Sequence, residues 1–381
     1  MKIKTITCHD VYNSGASLQA YALMRYLQQM GNEVQIIDYK PDYLSNHYKI
    51  LSINNPKYKK NNIIKLIYLI FKLPERLLAL RHKKKYDEFK QKYLNITSIR
   101  YKSNEELKNR LPEADIYICG SDQIWNCEFK NGKDPAFYLD FVPKGKIRAS
   151  YAASFATESI NNKYQNIVKE RIKKLDYVSV REISALNVLK NLDIHNGIQV
   201  MDPVFLLNKE EWDSMTYKIN EKYIFVYDFD NSDLIKDIAI DLANEKELKI
   251  YTAFKSDYSN RNMKNMGPID FISYIKNAEF IISNSFHGTA FSIIFEKDFI
   301  VINRKEKINT RMRDVLNELN IRNRLIDRDY DLSSIIKRID YTEVNKHLND
   351  KINISKKYLD KIISSSRKWE VFNEKKDIIC N

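Results

Sequence analysis

The chain has 381 residues, 44% hydrophobic and 30% charged, with a formal charge of +13. That length allows two domains with separate cores, and that apolar content excludes wholesale disorder. The excess of Lys and Arg points to an acidic partner, whether nucleic acid, anionic lipid or a phosphorylated substrate.

Met1 to Ile6 alternates like a first strand and lacks the apolar run of a signal peptide, so secretion is not expected. The strand is read over Ile3 to Cys8, and His9 to Ser17 follows as a turn of small and polar residues. Leu18 to Met30 predicts a helix stopped by Gly31, and Val34 to Tyr39 a second strand. This order makes a βαβ unit with a right-handed crossover. The turn has one glycine, Gly15, and not the GxGxxG of a dinucleotide site. A polar loop at the carboxyl end of a parallel strand is still where ligands bind in this fold class.

Residues 43–100 read as a basic helical insertion. Between Pro56 and Lys92 there are twelve Lys or Arg against three acidic residues. Ile63 to Leu73 is strongly apolar with cations at its edges. It has two readings: a helix lying in an anionic membrane interface, or a helix packed on the protein with a solvated basic tail. Nucleic acid is not expected, since the aromatics here form no stacking platform. No run of about 18 apolar residues exists, so no membrane-spanning helix is expected. Four cysteines, Cys8, Cys119, Cys127 and Cys380, follow no CxxC or metal-ligand spacing, which fits a reduced cytosol and a chain without a metal site.

Ala114 to Cys119 predicts a buried strand running into Gly120-Ser121-Asp122-Gln123-Ile124-Trp125-Asn126. Asp122, Gln123 and Asn126 are residue types that bind sugars. Trp125 either stacks on a sugar face or fills the core. Further strands are read over Phe137 to Val142, Ile147 to Phe155 and Tyr177 to Val180. The last delivers Arg181-Glu182, where Arg181 either grips a carboxylate or phosphate or forms a structural salt bridge. Val200 to Leu207, with Pro203, reads as the crossing into a second domain.

The α/β rhythm then repeats. Strands are expected over Tyr223 to Tyr227, Leu248 to Ala253, Phe280 to Ser283 and Phe299 to Asn303. Helices are expected over Asp233 to Asn244, Ile269 to Asn277, Gly288 to Phe295 and Thr310 to Leu319. After Tyr341 the chain reads as helical over Val344 to Leu348 and Ile354 to Ile363, packing back across the domains. The expected division is 1–200, 201–340 and a closing segment 341–381.

One stretch concentrates the chemistry. Phe280 to Ser283 is an apolar strand, Asn284-Ser285-Phe286-His287-Gly288-Thr289 a small polar turn, and an apolar helix follows. The first N–H groups of a helix have no partner within it and favour anions. Ser285, Asn284 and Thr289 add polar side chains, and Gly288 lets a ligand approach the backbone. His287 titrates near neutral pH. Arg304 and Arg311 follow on the next strand and helix as auxiliary cations.

The chain resembles the polysaccharide pyruvyl transferases in five pieces, in the family's order. They are Tyr12 to Leu23, Gly120 to Asn126, Val178 to Glu182, Asp202 to Leu207 and Ser283 to Gly288. The resemblance implies an α/β, GT-B-like fold of two Rossmann-like domains with a cleft between them. It also implies transfer from phosphoenolpyruvate onto two sugar hydroxyls, giving a pyruvate ketal on a bacterial surface polysaccharide or its lipid-linked precursor. Arg181 and His287 would belong to the donor site, with His287 as general acid and Ser285, Asn284, Gly288, Thr289, Arg304 and Arg311 around the donor. Tyr12, Asn13, Gln19, Asp122, Gln123 and Trp125 would face the acceptor. Phosphoenolpyruvate would be a co-substrate, with no metal or other cofactor. The expected location is cytoplasmic, or peripheral on the inner face of the membrane. A GT-B glycosyltransferase using a nucleotide sugar and a non-catalytic glycan-binding protein are the alternatives.

Overall fold

A computed structural model describes residues 1–44, 62–306, 309–328 and 330–379. Two parallel sheets carry it. The first contains β1 (Lys2–Ile6), β2 (Glu33–Tyr39), β3 (Ile96–Tyr101), β4 (Ile116–Cys119) and β5 (Ile147–Ser150), in the order β3-β2-β1-β4-β5. A short pair, β6 (Ser179–Val180) and β7 (Ile198–Gln199), continues beyond β5 through bridges from Ala149 to Tyr177 and Ala153 to Val180. The second sheet contains β8 (Tyr223–Tyr227), β9 (Lys249–Thr252), β10 (Arg261–Asn262), β11 (Phe280–Ser283), β12 (Phe299–Ile302) and β13 (Leu325–Ile326). Its order is β10-β9-β8-β11-β12-β13.

Both orders are the doubly wound Rossmann arrangement, in which the winding reverses between the first and fourth strands of each sheet. Strands covered on both faces by helices must be apolar throughout, and β8 and β11 are buried at every position. Two such units, with a last helix Tyr341–Ile379 returning to the first, make a GT-B-like fold. The return is anchored where Tyr358 donates its hydroxyl to the Ser150 carbonyl at 2.8 Å and the Met201 amide donates to Ser355 Oγ at 2.8 Å.

One apolar cluster spans both units, beside a separate cluster in each. The first helix, Ser14–Gln29, buries Leu18, Ala20, Ala22, Leu23 and Leu27 in the same cluster as Phe291 and Ile293 of the helix Phe286–Ile294. Trp212 stands between them, 5.7 Å from the Tyr21 ring and 5.0 Å from the Phe291 ring, and donates its indole N–H to the Val204 carbonyl at 3.0 Å.

Several ends shift: the expected strand Ile147 to Phe155 pairs only over Ile147–Ser150, and the site helix starts at Phe286 and not Gly288. Four differences are larger. The first helix begins at Ser14, because Asn13 accepts the Ala16 amide at 3.1 Å and caps it. Phe137 to Val142 is not a strand. Asp134 caps a 3-10 turn at Pro135–Tyr138, and Leu139 turns left-handed at φ 59°, so the segment is curled before any strand could pair. Ile96–Tyr101, read as part of the insertion, is the edge strand β3, whose exposed outer positions hid it. The closing segment is one helix, not two.

The helix Asn62–Tyr93 lies between β2 and β3. In its second half Tyr86 and Phe89 are buried, and Lys85 reaches Asp270 of the second unit at 2.6 Å. Residues 45–61, with Lys57, Lys59 and Lys60, and most side chains between Ile63 and Lys72 lie outside the described residues, and with them the membrane-surface reading. No helix among the described residues is long and apolar enough to cross a membrane.

Trp212→Ala removes the side chain that joins both units. It is expected to cost about 3–5 kcal/mol, read as a lower midpoint in chemical denaturation followed by circular dichroism.

Candidate active site

The site forms where the two winding reversals face each other. From the first unit come the start of the helix Ser14–Gln29, the loop after β4 (Gly120 to Asn126) and Arg181 after β6. From the second come Phe229 after β8, Asn284 and Ser285 after β11 with Phe286 and His287 at the start of the helix Phe286–Ile294, Arg304 after β12, and Arg311 on the helix Thr310–Glu318. Asn13, Asp122, Gln123, Asn284, Ser285, His287, Arg304 and Arg311 line one interdomain cavity of about 150 Å3. Donor-side and acceptor-side candidates that lie hundreds of residues apart in sequence therefore meet.

Arg181 is 4% exposed. Its Nη1 donates to Asp202 Oδ2 at 2.5 Å and to Ser121 Oγ at 3.3 Å, and Nε lies 3.8 Å from Glu182 Oε2. The structural ion pair is formed, and Nε and Nη2 have no hydrogen-bond partner among the described residues. Phe286 spaces two guanidiniums, with Arg181 4.5 Å and Arg311 5.7 Å from its ring centre. Arg311 is also buried, its Nε unpartnered, its Nη1 3.7 Å from Asp122 Oδ1. Burial and then the nearby Arg181 charge pull its pKa down to about 10.

Asp202, fully buried, accepts from Arg181, from Ser121 Oγ at 3.0 Å and from the Val204 amide at 3.1 Å. Burial opposes its charge, yet Arg181 and the neighbouring His287 hold its pKa below the ordinary carboxylate value. His287 Nε2 stands 3.8 Å from Asp202 Oδ2 and has no hydrogen-bond partner among the described residues. Burial lowers its pKa to about 4, with Asp202 pulling the other way and Arg181 adding to the depression. The imidazole is therefore neutral near pH 7 while the cavity is empty.

His287 packs on the first unit at Gly15. A Cβ at Gly15 would lie 2.0 Å from His287 Nδ1. Gly288 is needed for a different reason, since a Cβ there would fall 2.3 Å from Ser283 Oγ.

The other candidates separate. Ser285 caps the site helix, accepting the Gly288 amide at 3.4 Å. Thr289 spends its hydroxyl on the Ser285 carbonyl at 3.0 Å, and is fully buried. Asn284 donates to Asp228 at 2.6 Å and accepts the Phe229 amide at 3.0 Å, fixing the turn to β8. Arg304 lies 4.9 Å from the Phe229 ring centre and pairs with Glu306 and Asp230 at 3.1 and 3.4 Å. Asp122 holds a left-handed φ of 74°. Tyr12, with φ 52°, lies beside the cavity and not on its wall, against Tyr86 and Lys40.

Two acceptor candidates are corrected. Trp125 has no exposure; it stacks on Tyr138 at 5.6 Å and donates to the Phe137 carbonyl at 3.1 Å, so it has no face for a sugar. Gln19 is likewise sealed, its amide held by Thr7 Oγ1 and the Ala16 carbonyl, both at 3.0 Å. Four participants escaped sequence reasoning: Gly15, Ser121, Asp202 and Phe286. Each sits inside a recognised motif, but only the fold says which side chains of a motif face inward.

Gly15→Ala is expected to displace the imidazole and to lower any activity far more than stability, checked by comparing turnover with the denaturation midpoint. A neutral buried histidine also leaves a pH signature. Between about pH 6.5, its ordinary pKa, and about 4 the unfolded chain binds a proton that the folded chain does not. Stability therefore falls as pH is lowered through that window. His287→Gln should fall less over the same window, in the difference between the two denaturation midpoints.

The polysaccharide pyruvyl transferase family model matches residues 13–306, from the Asn13 cap to the strand-end loop that carries Arg304. No curated protein gives a match. Among solved structures, the UDP-GlcNAc 2-epimerase from Methanocaldococcus jannaschii is similar at 14% identity over 92% of this chain and 93% of that one, with a TM-score of 0.45. The S. aureus MnaA–UDP co-structure is similar at 12% identity over 93% and 90%, TM-score 0.47. Arabidopsis thaliana UGT89C1 complexed with UDP-L-rhamnose aligns at 11% identity over 96% and 98%, TM-score 0.48. The matched span is more than half of the chain and takes in both winding reversals and every residue of the cavity except Arg311 and Met312, and the chain belongs to the polysaccharide pyruvyl transferase family.

Proposed function

We propose that the protein forms a pyruvate ketal on a sugar of a bacterial surface polysaccharide or its lipid-linked precursor, with phosphoenolpyruvate as donor. The observation that carries this reading is the unused N–H groups of two buried guanidiniums on either side of Phe286: Arg311 lines the small cavity with His287, whose imidazole has no hydrogen-bond partner among the described residues, and Arg181 lies behind the Phe286 wall. Buried donors without partners are costly, so the site is preorganised for an anion that supplies the acceptors. A carboxylate and a phosphate on one small molecule match two guanidiniums and a helix start. The volume suits such a molecule and is small for a sugar.

In the proposed reaction His287 gives a proton to the methylene carbon of the donor, leaving positive charge at the carbon that bears the phosphate ester. A sugar hydroxyl attacks that carbon and its proton restores the imidazole. The C–O bond to phosphate then breaks, with Arg181, Arg311 and the site-helix amides stabilising the leaving anion. The second hydroxyl closes the ketal, and its proton leaves with the phosphate. No further cofactor enters this scheme.

The scheme requires His287 to be charged when the donor is bound, although it is neutral in the empty site. The charge balance supplies the reason. Arg181 and Arg311 face Asp202, Glu182 and Asp122, so the empty site has no spare positive charge. An arriving anion raises the imidazole pKa and draws a proton onto it.

Phosphoenolpyruvate binding should therefore take up a proton near pH 7, measured as a dependence of the calorimetric enthalpy on buffer ionisation heat. Arg181→Lys keeps the charge opposite Asp202 but loses the fork, and should weaken binding about 10- to 100-fold. His287→Gln should bind the donor and lose about 10²- to 10⁴-fold in turnover. Stabilisation by a nucleotide sugar, with none by phosphoenolpyruvate, would overturn the reading in favour of a glycosyltransferase.

A further inference from the structure

A second, larger hollow of about 920 Å3 lies against the donor cavity between the same two units. Their linings have no residue in common but are joined by hydrogen bonds. Asn126 of the larger donates to Gln123 of the smaller at 3.0 Å, and Asn309 of the larger accepts the Arg304 amide at 2.8 Å. With Trp125 sealed in the core, this is where the acceptor side must be sought.

Three features of the larger cleft are independent of one another. Its charge is opposite in sign to that of the chain. Among its described lining residues Glu128, Glu158, Glu306 and Asp327 outnumber Arg313 and Arg322. Both arginines are engaged, Arg313 with Glu158 at 2.6 Å and Arg322 with Asp327 at 3.4 Å, whereas Glu128 has no ion pair among the described residues. Phe129, an exposed aromatic side chain at 47%, lies on the same wall. Thr310, 4% exposed, lines the cleft, and its buried hydroxyl has no hydrogen-bond partner among the described residues.

We propose that this cleft is the acceptor subsite and that it selects a hydroxyl-rich sugar that is neutral or carries an amino group, against uronates and other anionic sugars. Phe129 covers the apolar face of a pyranose ring. The Thr310 hydroxyl bonds one of its hydroxyls. Glu128 attracts an ammonium and repels a carboxylate. The choice of partner follows from the cations: every guanidinium in the cleft is already matched, so a sugar carboxylate would enter beside unmatched negative charge. The word acceptor rests on the pyruvylation reading; the charge selectivity does not.

The test is calorimetry on the full chain with three probes, tri-N-acetylglucosamine, triglucosamine and trigalacturonate, and a parallel titration with phosphoenolpyruvate. The first two should bind and the trigalacturonate should bind at least about 10-fold more weakly. Phe129→Ala should weaken the neutral trisaccharide about 3- to 10-fold while leaving phosphoenolpyruvate affinity unchanged. Glu128→Gln should narrow the gap between triglucosamine and trigalacturonate. Equal binding of the uronate, no effect of Phe129→Ala, or no binding by either of the first two probes overturns the proposal. Sugar binding without phosphoenolpyruvate binding would sink the donor assignment and leave the cleft selectivity standing; the reverse result would sink the selectivity alone.

Discussion

The structure turns on one buried ion pair, Arg181 with Asp202, sealed between two Rossmann-like units. Taking two charges out of water costs several kcal/mol each, and only close geometry with further hydrogen bonds offsets it. Asp202 has that support from Ser121 Oγ and the Val204 amide. Arg181 has it only in part, because one edge of its guanidinium is spent on Asp202 and the other is unused. The pair therefore fixes the direction of the unused edge. It also sets the potential at His287, which stands beside the same carboxylate oxygen.

That pair could not be buried without close approach of the two units, and the approach depends on small residues. Gly15 and Ala16 begin one helix, and Gly288 sits in the first turn of the other. At Gly15 even a methyl group would occupy the space of the imidazole. Trp212, Tyr21 and Phe291 fill the volume behind. The apolar core therefore sets the distance between the units, and the small residues let functional groups from both use it. Fold and site are coupled: what stabilises the interface also desolvates the histidine and the two arginines.

Desolvation explains how the site can wait in an unreactive state. An imidazole with a pKa near 4 holds no proton at neutral pH, and two guanidiniums matched by carboxylates present no excess charge. An incoming anion changes both conditions at once, because the charge that the site lacks is the proton that the proposed chemistry needs. The larger cleft alongside has the opposite character, lined by more acidic than basic residues among those described.

Much of this was legible in the sequence. Strands buried on both faces declare themselves as unbroken apolar runs, and Tyr223–Tyr227 and Phe280–Ser283 were readable to the residue. The polar loops after them mark the ligand side of any doubly wound sheet, so Asp122, Gln123, Arg181, Asn284, Ser285 and His287 could be singled out, and the order of their motifs is that of the family. The sequence could not say which residues of a motif face inward. Trp125 and Gln19 share their loop and helix with cavity residues yet point into the core. The edge strand Ile96–Tyr101 was hidden because its alternation is blurred by exposure. Asp202 looked like a hinge, and its role exists only because the chain brings it against Arg181. Local periodicity and turn chemistry are properties of neighbours along the chain, so the sequence by itself determined the elements and the loops that matter. Burial, charge pairing and the sterics between Gly15 and His287 join residues far apart in sequence, and these only the tertiary structure decided.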